Sequence, residues 1–451
     1  MPQEKFHYKS LEEVKQRAAE LGVDLPFAAD THALAQPLTV RNITFPNRLG
    51  IAPMEGADST PEGAPTEYTT RRYVNEAIGG SSVIWFEAIS IVKEGRSSKT
   101  QLLLNRDTLD EFKKMTTAVK KAGLKANGYA PYLIMQGNHS GRYSNPGNKP
   151  APMIAYRHPI LEQYRAADDS CIVTDDYLKG LEEKFGEAAA LAKEAGFDAV
   201  DIKSCHGYLL AELASAYNRP GEYGGSFENR FRLLKNGIRA AKVYEDDSFM
   251  VTARVGIYDG YAYPWGFGVS PESGMTPDLT EPIRLVRDLH NELGLNMVNL
   301  TMGNPYATTH VTRPFDFGKY EPDEHPFVGL SRMIHGIGAV KKAVPGITVW
   351  ASAPTYLRAY ADLFSAGAVE QGLCDGMLFG RMAFADPDFA NEIVKNGRID
   401  PKRVCLTCGK CGDLIRAHKP TGCVIRDSKT FMPFYKEFLE IKKTQPANFR
   451  G

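Results

Sequence analysis

The feature that most constrains this chain is a rhythm. Eight short apolar or β-branched segments are each followed by a helix-length amphipathic stretch. The segments are RLGIAPM (48–54), SSVIWFEAI (81–89), PYLIMQ (131–136), DAVDIK (198–203), FMVTAR (249–254), NMVNL (296–300), ITVWAS (347–352) and DGMLFG (375–380). Runs of this length and composition suit buried strands. Between them, stretches such as LDEFKKMTTAVKKAG, LEEKFGEAAALAKEAG and EPIRLVRDLHNELG have helical periodicity and end near Gly, as helix C-termini do. Strand then helix, repeated, means a parallel sheet covered by helices. Eight units point to a closed α/β architecture, the (β/α)8 TIM barrel. No G-x-G-x-x-G follows a strand, so a Rossmann-type open sheet lacks its fingerprint.

The rest of the chain flanks this repeat. Residues 1–36 read as an N-terminal helical extension, 37–399 as the barrel and 400–451 as a C-terminal cysteine-rich tail. Lys+Arg and Asp+Glu are equal at 54 each, which gives no electrostatic case for nucleic acid or an anionic membrane as partner. No apolar run is long enough to span a bilayer, and the charged N-terminus lacks a signal-peptide core. A cytoplasmic protein acting on a small-molecule substrate is the expectation, with homo-oligomerisation left open.

Polar groups at the strand ends are the next signal. Gln136 closes the third strand, Lys203 and His206 the fourth, Arg254 the fifth and Gly380-Arg381 the eighth. In a barrel these ends converge on one mouth, where active sites are built. Arg254 and Arg381 are donors suited to a phosphate-bearing ligand. Taken singly, each is as readily a salt-bridge or loop residue. Two connections, from Gly137 to about Thr174 and from Thr301 to about Val328, exceed simple βα loops and would cover that mouth. His310, in the second of these, is either substrate-facing or a loop-packing residue.

Cysteines carry a separate signal. Cys171, Cys205 and Cys374 are scattered, whereas Cys405, Cys408, Cys411 and Cys423 form C-x2-C-x2-C-x11-C. Clustered thiols in a large chain without a secretion signal argue for metal rather than disulfides. Three cysteines at this spacing plus a remote fourth fit a [4Fe–4S] cubane first, structural zinc second and unligated thiols last.

Several blocks resemble the old yellow enzyme family of FMN oxidoreductases. They are NRLGIAPMEGADSTPEGAPTEYTTRRYVNEAIGG at the first strand, QGNHSGR (136–142), DIKSCHGYLLAELASAYNRPGEYGGSFENRFR (201–232) and GRMAFADPDF near the end. The cysteine tail is similar to the branch containing 2,4-dienoyl-CoA reductase and trimethylamine dehydrogenase. The resemblance implies FMN contacts at Ala52, Pro53, Met54 and Ala88, with Gln136 on the pyrimidine edge. It implies Arg254 near the N1–O2 region and Ala353, Gly380 and Arg381 around the phosphate. Tyr208 corresponds to the family's proton-donating tyrosine, and His206 to the second of its substrate-anchoring histidines.

Three positions and one spacing depart from the pattern. Lys203 replaces the first anchoring histidine, Glu55 a customary Thr or Cys, and Ala353 a customary Gly; the second cysteine gap is one residue short. The expected activity is reduction of an activated C=C bond, with Lys203 and His206 anchoring substrate and Tyr208 supplying the proton. NAD(P)H or a separate electron-donor protein would supply electrons. Oxidation of an amine, or electron transfer without a substrate, are the alternatives.

Overall fold

A computed structural model describes residues 4–147, 149–272, 275–318 and 320–444. The eight strands are β1 (Leu49–Ile51), β2 (Val83–Ser90), β3 (Tyr132–Asn138), β4 (Ala199–Ser204), β5 (Met250–Gly256), β6 (Met297–Thr301), β7 (Thr348–Ser352) and β8 (Gly376–Phe379). Each pairs in parallel with the next, and β8 closes on β1, giving the expected closed barrel. β1 is shorter than its apolar run. Ala52 still donates to the Phe379 carbonyl at 3.0 Å, but Pro53 has no N–H to continue the ladder, so the chain peels away towards the mouth. A register shift between Trp85 and Ala88 lets β2 turn as it reaches the same level.

The barrel helices are α1 (Glu67–Ile78), α2 (Leu109–Asn127), α3 (Asp175–Glu194), α4 (Arg232–Lys242), α5 (Thr280–Asn291), α6 (Pro326–Ala343), α7 (Ala361–Glu370) and α8 (Phe389–Asn396). Their apolar faces pack on the outer faces of the strands in one continuous core. The strands are therefore covered on both sides, which is why they read as apolar runs rather than strict alternations. Inside, Trp85, Ile134, Ala199, Met250, Met297, Trp350 and Leu378 fill the floor. A hairpin of Leu38–Val40 and Ile43–Phe45 plugs the N-terminal end, with Phe45 edge-on to Tyr132 (5.3 Å) and Trp350 (5.9 Å). With one end sealed, the C-terminal mouth is the open end.

Both flanking segments fold onto the barrel. In the N-terminal one, the helix Leu11–Glu20 is capped by Ser10, which accepts from the Glu13 N–H, while Phe6 and Tyr8 pack against Tyr356 and Phe327. The tail forms helices Lys410–Arg416 and Ser428–Thr444 around Leu414, Val424 and Phe431. It docks on α1 through an Arg71–Asp427 ion pair (2.7 Å) and Phe434 edge-on to Tyr68. Residues 1–3 and 445–451 of these segments lie outside the described residues. No described helix is long and apolar enough to cross a membrane.

Candidate active site

Alternation along the strands decides which side chains enter the barrel. Ile134, Ala199, Met250 and Met297 point inward at the floor, so two residues later Gln136, Asp201, Thr252 and Asn299 form a polar layer above them. Asp201 organises that layer. Trp85 Nε1 and Gln136 Nε2 both donate to its Oδ2, at 2.7 and 2.6 Å. Burial pushes the Asp201 carboxyl up, and these two donors and Arg254 oppose the shift. The layer is not self-sufficient. Gln136 Oε1, Asp201 Oδ1 and both amide atoms of Asn299, with Arg254 Nε just above, are buried without a hydrogen-bond partner among the described residues. A buried orphan costs about 1–3 kcal/mol, and several facing one mouth mark a ligand's place.

Lys203 and Arg254 stand next to each other one layer higher, directly paired across β4 and β5. Lys203 is buried, forms no ion pair among the described residues, and places Nζ 3.9 Å from the centre of the Tyr208 ring. Burial lowers its ammonium from 10.5 to about 8; nearby Arg254 acts in the same direction, whereas Glu55 and Asp201 oppose it. Neither Asp201 nor Glu55 forms a salt bridge with it, so Lys203 is not the salt-bridge residue that a strand-end lysine can equally be.

After β4 the chain turns sharply at His206 (φ +67°) and Gly207 (φ +70°), both in the left-handed region. A side chain at Gly207 would collide with the Asn304 amide, so glycine is required there for space as well as conformation. The turn presents His206 towards Thr301 (3.4 Å) and Tyr208 into the mouth. Burial, with Arg254 and Lys203 nearby, holds His206 well below its ordinary value, so the ring is neutral. Tyr208 hydrogen-bonds the Tyr306 hydroxyl at 2.8 Å, and burial keeps its phenol well above the usual range, hence protonated.

The remaining sequence-predicted positions ring this centre. Ala88 lies opposite Gln136 across β2 and β3. A Cβ at Gly380 would touch Met54 and Ala52, which brings the β1 and β8 ends together. Ala353 has φ +74°, the conformation glycine favours, so a customary Gly at this position has a physical reason. Glu55 accepts from Ser97 Oγ at 2.7 Å, and burial raises its carboxyl. Behind it, Glu87 accepts from the Gly56 N–H (2.9 Å) and pairs with Arg72, which also pairs with Asp58. This buried network fixes the loop that carries Met54 and Glu55. Arg381 donates one Nη to the Pro314 carbonyl at 2.7 Å, and its other Nη has no partner among the described residues. His310 bonds Tyr320 (2.7 Å) and faces Glu324, the loop-packing alternative.

Cys405, Cys408, Cys411 and Cys423 line one small cavity together with Arg381 and Arg426. Thr407 N–H donates to Cys405 Sγ (3.4 Å) and Arg426 N–H to Cys423 Sγ (3.3 Å). Burial pushes the Cys405 thiol up to about 12 and raises Cys411 and Cys423 as well. Among the described residues, no group of three or more His, Cys, Asp or Glu is arranged to hold a metal ion. The tail is tied to the mouth, since Thr421 N–H donates to the Gly56 carbonyl at 2.8 Å.

Sequence reasoning missed Tyr143, Asn304 and Tyr306. Tyr143 and Tyr306 stack at 3.7 Å, and Asn304 donates to the Tyr143 hydroxyl (3.3 Å) and accepts from the Tyr306 N–H (2.8 Å). The long, aromatic-rich loops after β3 and β6 were the available signal. Nothing in the sequence said that they meet.

The orphan polar atoms of the barrel mouth mark a ligand site without naming the ligand, and comparison with known proteins supplies the family. The model of the NADH:flavin oxidoreductase / NADH oxidase family matches residues 33–265, more than half the chain, and the chain belongs to that family. The NADPH dehydrogenase of Bacillus velezensis is 34% identical over 223 residues, covering 48% of this chain and 62% of the relative. That of Clostridium acetobutylicum is 29% identical over 276 residues, covering 60% and 74%. The chain thus spans less than two thirds of the length of the Bacillus enzyme. Among solved structures, a 2-naphthoyl-CoA reductase complexed with 2-naphthoyl-CoA aligns with TM-score 0.71 at 18% identity, over 90% of this chain and 58% of that one. The old yellow enzyme homologue of Zymomonas mobilis gives 0.60 at 21% (81% and 94%), and the histamine dehydrogenase of Rhizobium sp. 4-9 gives 0.65 at 19% (87% and 52%). At these identities the structural likeness establishes the fold.

Proposed function

We propose that the chain is an FMN-dependent oxidoreductase that reduces a C=C bond conjugated to a carbonyl. The observation that carries this is the convergence of Lys203, His206 and Tyr208 on the mouth that holds the orphan atoms of Gln136 and Arg254. Those orphans fit FMN. Gln136 Oε1 is an acceptor suited to a pyrimidine N–H, and the Arg254 guanidinium suits an electron-rich ring edge. Gly380, Ala353 and the unpartnered Nη of Arg381 suit the phosphate side. When bound and reduced, FMN supplies the hydride.

The protein's own groups then manage charge and the proton. Hydride addition to the far carbon pushes negative charge onto the carbonyl oxygen. Lys203, mostly charged below about pH 8, and the neutral His206 ring donate hydrogen bonds to that oxygen and stabilise the charge. Tyr208 gives its phenolic proton to the adjacent carbon. NADPH is the proposed reductant, in line with the NADPH dehydrogenases among its relatives.

Amine oxidation is the competing reading, and the histamine dehydrogenase likeness favours it at the level of fold. Lys203 weighs against it: the cation-binding face of Tyr208 already carries an ammonium, which would repel a second one. For the tail, we infer one [4Fe–4S] cluster on Cys405, Cys408, Cys411 and Cys423. Four thiols on one cavity, N–H···S donors and a neighbouring Arg381 all suit an anionic cluster.

Anaerobic stopped-flow separates the readings. NADPH should bleach the flavin absorbance, and a cyclic enone should restore it. Bleaching of the oxidised flavin by a primary amine, with no reoxidation by enones, would replace this reading with the oxidative one.

A further inference from the structure

Tyr208 faces a supply problem that its own position cannot solve. It is 5% exposed, so a proton given to substrate cannot be replaced directly from bulk water once the mouth is covered. Its hydroxyl has one hydrogen-bond partner among the described residues, the Tyr306 hydroxyl at 2.8 Å. Tyr306 is 38% exposed. Two features hold it in place. Its ring stacks on Tyr143 at 3.7 Å and 16°, and its N–H is held by Asn304 Oδ1. Asn304 also grips the Tyr143 hydroxyl, so one amide fixes both rings of the stack.

We propose that Tyr306 is a positioning and relay residue, orienting the Tyr208 hydroxyl and carrying its replacement proton in from solvent. The inference rests on Tyr208 being the proton donor. The transfers balance: Tyr208 O–H breaks as the substrate C–H forms, Tyr306 O–H protonates the Tyr208 oxygen, and water protonates Tyr306. No net charge accumulates in the mouth. Burial holds the Tyr208 phenol above its ordinary range, and Tyr306, bonded to it, is a phenol that also carries a proton at neutral pH. Glu55 lies near enough to bias both towards the protonated form.

Tyr306→Phe keeps the stack on Tyr143 and removes only the hydroxyl. In the holoenzyme, flavin reduction by NADPH should be unchanged, whereas reoxidation by a cyclic enone should slow by about tenfold, within the range for general acid–base help. A proton inventory in mixed H2O and D2O should be curved for the native protein and linear for Tyr306→Phe, a change that loosened packing would not produce. If Tyr208→Phe slows reoxidation and Tyr306→Phe leaves both its rate and its proton inventory native, the relay is wrong while the Tyr208 role stands. If neither variant slows reoxidation, the role of Tyr208 itself has failed.

Discussion

Lys203→Met tests whether the site keeps a cation in a place that stability alone would not choose. Methionine matches the length of the lysine stem and removes the charge. The ammonium falls from 10.5 to about 8 on folding, mainly through burial. At roughly 1.4 kcal/mol per tenfold change in proton affinity, that is a cost of about 3 kcal/mol at neutral pH. The opposing pull of Glu55 and Asp201 is already contained in that net shift, so the variant should gain up to about 3 kcal/mol at neutral pH. The sign with pH follows from proton counts. Between pH 8 and 10.5 the unfolded chain binds more protons at this lysine than the native one, so raising pH stabilises the native state. The cost is complete below about pH 8 and gone above 10.5. Thermal unfolding of flavin-free protein at pH 7 and pH 9.5 measures it. Lys203→Met should melt higher than the native protein at pH 7, and the difference should shrink at the higher pH. Enone reduction should fall by roughly 10²-fold, the loss of one charge-stabilising donor. A variant that melts no higher at either pH would refute the idea that Lys203 is a strained buried cation.

Three further outcomes follow from the same geometry. Tyr208→Phe should leave flavin reduction native and slow substrate reoxidation by roughly 10²-fold or more, as loss of a general acid does; transient kinetics of the two half-reactions checks it. Ala353→Gly should raise stability by roughly 0.5–1 kcal/mol, because glycine relieves the left-handed strain at φ +74°, as seen in the melting temperature. Cys411→Ser should remove most of the iron from anaerobic protein while the flavin stays bound, whereas one zinc and no iron in the native protein would replace the cluster with a structural zinc.

The fold was largely legible because both faces of every strand are covered. Each strand therefore shows as an apolar run, and each observed strand begins within two residues of the predicted one. Where β1 stops was harder, since AlaPro leaves the ladder for lack of an N–H rather than for lack of apolar character. In the site, Gln136, Lys203 and Arg254 were readable because a strand end has only one place to point. Tyr143, Asn304 and Tyr306 were not, because they lie on two loops separated by more than a hundred residues and meet only through tertiary packing. Glu55 was noticed as a departure, but its bond to Ser97 and the buried Glu87–Arg72–Asp58 brace behind it depend on how α1 seats against β2. Arg381 was expected at a phosphate. Its guanidinium is also part of the cysteine cavity wall, a neighbour that only the folded tail supplies.

The proposed chemistry rests on a flavin mononucleotide in the barrel mouth, and the ligand can be read directly. Purified protein, denatured and analysed by mass spectrometry, should release FMN at close to one per chain. Gln136→Leu should lower that yield by removing the orphan Oε1 acceptor. Release of FAD, or of no flavin from protein that is folded and has been offered FMN, would contradict the account.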